Sequence, residues 1–125
     1  MKLWTMLGGA ALALGVSACA SNKTPATADV AVSREAVAAA TSAGAADLAP
    51  AEMQSAREKL MRANQALAAK DYKTAQDLAA QASADAQLAQ SKANSAKATT
   101  AADELQQNIR LLREELQRAN ATSQQ

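Results

Sequence analysis

YKTAQDLAAQASADAQLAQSKANSAKA, residues 72–98, contains neither glycine nor proline and sets Ala75, Ala79, Ala82, Ala86, Ala89, Ala93 and Ala96 in unbroken four-three steps. That spacing keeps one face of an α-helix turned towards a partner, and alanine at every step lets two helix backbones approach closely. Nothing stops the helix before about Arg118. The stretch fixes the expected fold class as all-α: an antiparallel helical hairpin or three-helix unit whose long C-terminal helix extends as a coiled coil. Composition agrees. Aromatic residues are 2% with no Phe, and Tyr72 is the only ring outside the first 18 residues, so a wide aromatic core is excluded. Alanine has the best intrinsic helix propensity but buries little area, which favours long helices in close contact.

Towards the N-terminus the break at Lys70-Asp71-Tyr72 is short. Lys70 suits a helix C-terminus and Asp71 the N-cap of the next helix, so an antiparallel hairpin is expected, with Tyr72 wedged into it. The preceding helix begins at Pro50, where a missing amide hydrogen costs nothing, and Glu52 favours its positive end. Met53, Ala56, Leu60, Ala63 and Leu67 form its apolar seam, and Leu48 is placed to staple onto Met53. Glu58 and Arg62 are spaced for an i, i+4 ion pair. A first helix is expected from Asp29 through Val30, Val37 and Ala40 towards Gly44, with Ala45 to Ala49 as the connection.

Pro50-Ala51-Glu52-Met53, then Ala56, Leu60 and Ala63, then Asp71-Tyr72, Ala75, Leu78-Ala79 and Ala82 resemble the alanine-rich bacterial domain of unknown function forty-three ninety-eight, over roughly Val30 to Ala98. Relatives of that domain are often lipoproteins, and some carry an OmpA-like peptidoglycan-binding domain after the helices. The sequence carries no such domain through Gln125, so direct peptidoglycan binding is not expected.

The N-terminus agrees with a lipoprotein. Lys2 precedes an apolar run from Leu3 to Val16, which ends in Val16-Ser17-Ala18-Cys19. This is the charged, apolar, small-residue layout of a secretory leader, and the four residues resemble a bacterial lipobox. Ser17 and Ala18 are small enough for a peptidase cleft, and Cys19 is the only thiol. About 14 apolar residues, interrupted by Gly8, Gly9 and Gly15, fall short of the ~20 needed to span a bilayer. Cys19 is therefore the expected lipidation site. By the same resemblance Ala20, where an aspartate would retain the protein at the inner membrane, points to an outer-membrane anchor facing the periplasm, with the inner membrane the second choice. The expected organisation is a signal peptide over 1–18, a flexible tether over 19–28, the helical domain over 29–98 and a helical extension with its tail over 99–125.

Several function classes are not expected. The chain has no histidine, and its only thiol would be lipidated, so a tunable acid, base or nucleophile is lacking. Asp103-Glu104 and Glu114-Glu115 are sequence neighbours that diverge by about 100° on a helix and do not converge on one ion. No cofactor, metal or small-molecule substrate is implied. Lys and Arg number 13 against 12 Asp and Glu, and losing Lys2 balances them, which argues against nucleic acid.

The expected role is a non-enzymatic structural protein or scaffold of the cell envelope. Two alternatives are a tether from the outer membrane to peptidoglycan and a periplasmic chaperone-like holdase. The end Ser123-Gln124-Gln125 lacks the terminal lysine by which the major enteric lipoprotein joins the wall. A helix from Tyr72 to Arg118 would span ~70 Å against ~30 Å for its predecessor, so its C-terminal part has no partner in its own chain. Yet Ala98, Ala102, Leu105, Ile109, Leu112 and Leu116 carry a four-three apolar repeat, which faces roughly 140° round a straight helix from the alanine seam. Leu105, Ile109, Leu112 and Leu116 are therefore the expected docking seam, for a weakly associating second copy or for another envelope protein, while the membrane is engaged through the N-terminal lipid.

Overall fold

The computed structural model describes residues 23–124, which form four helices: α1 (Lys23–Ser42), α2 (Ala45–Leu48), α3 (Pro50–Ala68) and α4 (Tyr72–Ser123). The protein is all-α, with no strand among the described residues. α1 and α3 both pack chiefly on the first half of α4 and less on each other. Ala26 and Val30 share a core cluster with Ala63, Ala75, Leu78 and Ala79, while Val37 and Ala40 share another with Met53, Ala56, Ala86, Ala89 and Ala93. These pairings make α3 antiparallel to α4 and α1 parallel to it. The result is an up-down-up three-helix bundle.

The core is built as the alanine seam demands. Among the buried apolar residues only Val30, Val37, Met53 and Leu78 are larger than alanine. Burying a Val, Leu, Ile or Met contributes about 1.5–3 kcal/mol and an alanine less, so tight helix approach and helix propensity carry more of the stability than in a leucine-rich bundle. Tyr72 is half-buried against the lower cluster, at the foot of the hairpin it was expected to wedge.

The turns follow from backbone chemistry. Gly44 ends α1 with φ 78, and its amide donates to Thr41 O at 3.0 Å, the left-handed exit that glycine adopts without strain. The expected loop from Ala45 to Ala49 is instead mostly one helical turn, α2, with Leu48 N donating back to Gly44 O at 3.2 Å. At the other end of the bundle Lys70 takes the left-handed position at φ 62. Asp71 N donates to Ala66 O at 2.9 Å and Lys70 N to Leu67 O at 3.1 Å, so a Schellman motif closes α3 with lysine where glycine is usual. Asp71 then caps α4, its Oδ1 accepting from Thr74 N at 3.2 Å, and Thr74, through its side chain first and its amide second, holds the Asp71 carboxyl below the usual range.

Four further expectations need correction. α1 is already helical at Lys23, so 23–28 is not a flexible tether; residues 19–22 lie outside the described residues. Pro25 falls in the first turn, where it displaces no hydrogen bond, and Ala26 is fully buried one helical step before Val30, so burial holds this segment in the bundle. Asp29 is therefore not a cap: its Oδ2 accepts from Gln76 Nε2 of α4 at 3.0 Å. Leu48 is 43% exposed, and it is Ala49 that joins Met53 in the core. Among the described residues Glu58 and Arg62 form no ion pair, and α3 instead sends Lys59 and Glu52 to α4.

Candidate interaction surface

α4 contains 52 residues, which makes a rod of about 78 Å. Its last buried residue is Ala93, and Ala96 is half-buried. The Lys97 ammonium lies beside Gly44, at the C-terminal end of α1, where the helix dipole favours a positive charge. Beyond Lys97 every described residue of α4 is exposed. The bundle ends there because α1 and α3 are only 20 and 19 residues long.

The four residues of the expected seam all lie on this overhang. Leu105 is 60% exposed, Ile109 39%, Leu112 59% and Leu116 63%, so the stripe is continuous and none of the described residues covers it. Leu111, 58% exposed and one position off the stripe, was not expected and widens the apolar face. A four-three count misses it because it falls between steps. Gln106, Arg110 and Arg113 border Ile109 in a shallow recess, so the stripe carries a polar margin. Thr99 and Thr100, where the rod leaves the bundle, return their hydroxyls to Ser95 O at 3.0 Å and Ala96 O at 3.1 Å. Such back-bonding in mid-helix bends helices slightly.

The bundle itself carries polar clasps between its helices. Asp85 Oδ2 accepts from Lys59 Nζ at 2.6 Å and from Ser55 Oγ at 2.7 Å, joining α3 to α4. The ammonium first, and the hydroxyl second, hold the Asp85 carboxyl below its usual range. Lys92 pairs likewise with Glu52 and lowers its pKa. Ser55, Asp85 and Glu52 are tied into contacts between α3 and α4. A groove on α3 is lined by Ala46, Pro50, Met53, Gln54, Arg57 and Met61, with Arg57 Nη2 donating to Thr41 Oγ1 at 3.4 Å across its edge. Asp103, Glu104, Glu114 and Glu115 stand exposed on the rod, and among the described residues no group of metal-ligand side chains converges. No described helix is long and apolar enough to cross a membrane. Val16, Ser17, Ala18 and Cys19 lie outside the described residues.

The family model described as Domain of unknown function (DUF4398) matches residues 28–105, well over half of the chain. The chain belongs to the DUF4398 family. Within it the matched region covers almost all of the bundle and the root of the overhang, ending at Leu105, so Ile109, Leu112 and Leu116 lie beyond the DUF4398 match. No curated protein and no solved structure matches the chain.

Proposed function

We propose that this DUF4398 protein is a lipid-anchored, non-enzymatic scaffold of the bacterial envelope, held at the outer membrane through Cys19 and facing the periplasm. The observation that carries the reading is the parallel course of α1 and α4. Because they run together, the N-terminal end of the bundle and the free overhang lie at opposite ends of one rod. Cys19 precedes Lys23 by four residues, a span of at most about 14 Å when extended. A lipid there holds the foot of the bundle close to the membrane and directs Leu105, Ile109, Leu112 and Leu116 away from it, on a rod of about 78 Å. An exposed apolar stripe on a helix with a polar margin serves recognition better than solubility.

The anchor rests on the Val16-Ser17-Ala18-Cys19 pattern and is tested there. Cells fed a clickable palmitate should label the wild-type chain and leave Cys19→Ser unlabelled. Equal labelling of the two chains would sink the anchor. On a bilayer, two or three acyl chains hold a protein permanently where one gives only marginal binding, so wild type should also stay with the membrane fraction through a high-salt wash.

A further inference from the structure

We infer that the overhang is one half of a parallel, two-stranded coiled coil whose other strand is a second copy of this chain. The four-three steps place Ala102, Ile109 and Leu116 at the a positions of a heptad, and Leu105, Leu112 and Ala119 at d. In the central heptad Ile109 stands at a and Leu112 at d, the pairing that favours two parallel strands. In register, each layer meets itself: large residues face large ones in the middle four layers, and alanine faces alanine at both ends. Another protein would have to match that profile; a second copy does so automatically.

The flanking positions agree. The g residue Asn108 lies opposite the e residue Arg113 of the second copy, and Glu115 opposite its Asn120, so each pair joins a donor to an acceptor and no like charges face each other. The bundle does not obstruct the approach. From Ala93 to Leu105 a straight helix turns by about 120°, so the second rod lies well away from the face that holds α1 and α3. The parallel course of α1 and α4 also puts both N-terminal ends on one side of such a pair, as two anchors in one membrane require.

The surface sets the strength. The six layers from Ala102 to Ala119 span about 27 Å, which on helices about 10–12 Å wide covers about 300 Å² per copy. Twice that remains below the ~1,200–2,000 Å² of stable interfaces, so the dimer is weak in dilute solution. Confinement raises the effective concentration and makes such a contact populated. This last step and the common side of the two N-terminal ends rest on the lipid anchor proposed above.

Disulfide trapping of the full chain in cells, with copper–phenanthroline as oxidant, tests orientation and register together. Leu105→Cys and Leu112→Cys should each give a same-site disulfide dimer. Leu111→Cys, as exposed as Leu112 but off the seam, should crosslink at least tenfold more slowly. Adding Leu112→Asp to Leu105→Cys should cut its dimer at least tenfold while leaving the thermal unfolding of the bundle unchanged. The inference is overturned if Leu111→Cys crosslinks as well as Leu112→Cys. It is equally overturned if Leu105→Cys joins only to co-expressed Leu116→Cys, the antiparallel pattern, or if no same-site dimer forms.

Repeating the series with Cys19→Ser separates the two readings. Loss of the dimer in that background alone is the expected result. Equal trapping in both backgrounds upholds the dimer and removes the anchor's part in it, and failure in both overturns the dimer whatever the palmitate experiment shows.

Discussion

Replacing Ser33 by alanine is expected to stabilise the bundle, against the usual direction of core substitutions. Ser33 occupies the inner face of α1 between Val30 and Val37, is fully buried, and its Oγ has no hydrogen-bond partner. A buried hydroxyl without a partner costs about 1–3 kcal/mol, and alanine adds a few tenths of a kcal/mol in helix propensity. The change removes one atom from a site lined by close backbones, so the cavity left is small and offsets part of the gain. A net stabilisation of about 1–2 kcal/mol follows, which for a domain of this size raises the melting temperature by roughly 5–12 °C. The assay is thermal and urea unfolding followed by circular dichroism at 222 nm, wild type beside Ser33→Ala, with an unchanged urea slope showing that the same surface is exposed. A melting temperature unchanged or lowered in Ser33→Ala would refute the reasoning, since it would mean that Oγ is satisfied in solution. Ser33→Val serves as the converse. It adds bulk where the neighbouring seam is alanine, and should destabilise by about 1–3 kcal/mol.

Two further outcomes follow from the turns and clasps. Lys70→Gly should stabilise by about 1 kcal/mol, read as a higher urea midpoint, because glycine adopts the left-handed position of the Schellman motif without the cost borne by a side chain; a lower midpoint would show that the lysine contributes more than its strain. Asp85 has a folded pKa below its unfolded value of about 3.9, so its contribution to stability is complete above that value and is lost as pH falls through the lower folded one. Asp85→Asn should therefore flatten the acid limb of the stability profile below about pH 4, and an acid limb as steep as that of wild type would remove the clasp from the account.

What could be read from the sequence was whatever repeats or breaks locally. The alanine steps from Ala75 to Ala93, the stop at Gly44, the start at Pro50 and the cap at Asp71 each depend on a residue type at a fixed offset, and all four stand in the structure. The start of α1 was hidden because Ser33 interrupts the apolar series Ala26, Val30, Val37, Ala40. Counted as a seam position it completes the four-three steps back into the supposed tether. α2 escaped because a four-residue helix shows no period. The pairs Lys59 with Asp85 and Glu52 with Lys92 join α3 to α4 across 26 and 40 positions, where an i, i+4 rule has no reach. On the candidate surface the stripe was legible and Leu111 was not, since its exposure depends on which side of the rod is left bare.

The bare side follows from the composition of the core. Alanine seams hold helices together only where close backbones continue on both sides, so burial in α4 stops within a turn of the place where α1 and α3 end. Had the same four-three steps carried alanine to Ser123, the last third of the helix would expose little apolar surface and would need no partner. Instead the alanine steps end at Ala96, and a second four-three stripe, carrying leucine and isoleucine from Leu105, opens on another face of the helix beyond the reach of α1 and α3. Large side chains gain from burial what alanine cannot, and none of the described residues buries them. The change of residue type along one uninterrupted helix therefore divides it in two: a thin-cored half that folds against its own chain, and a half whose larger apolar side chains the described residues leave exposed.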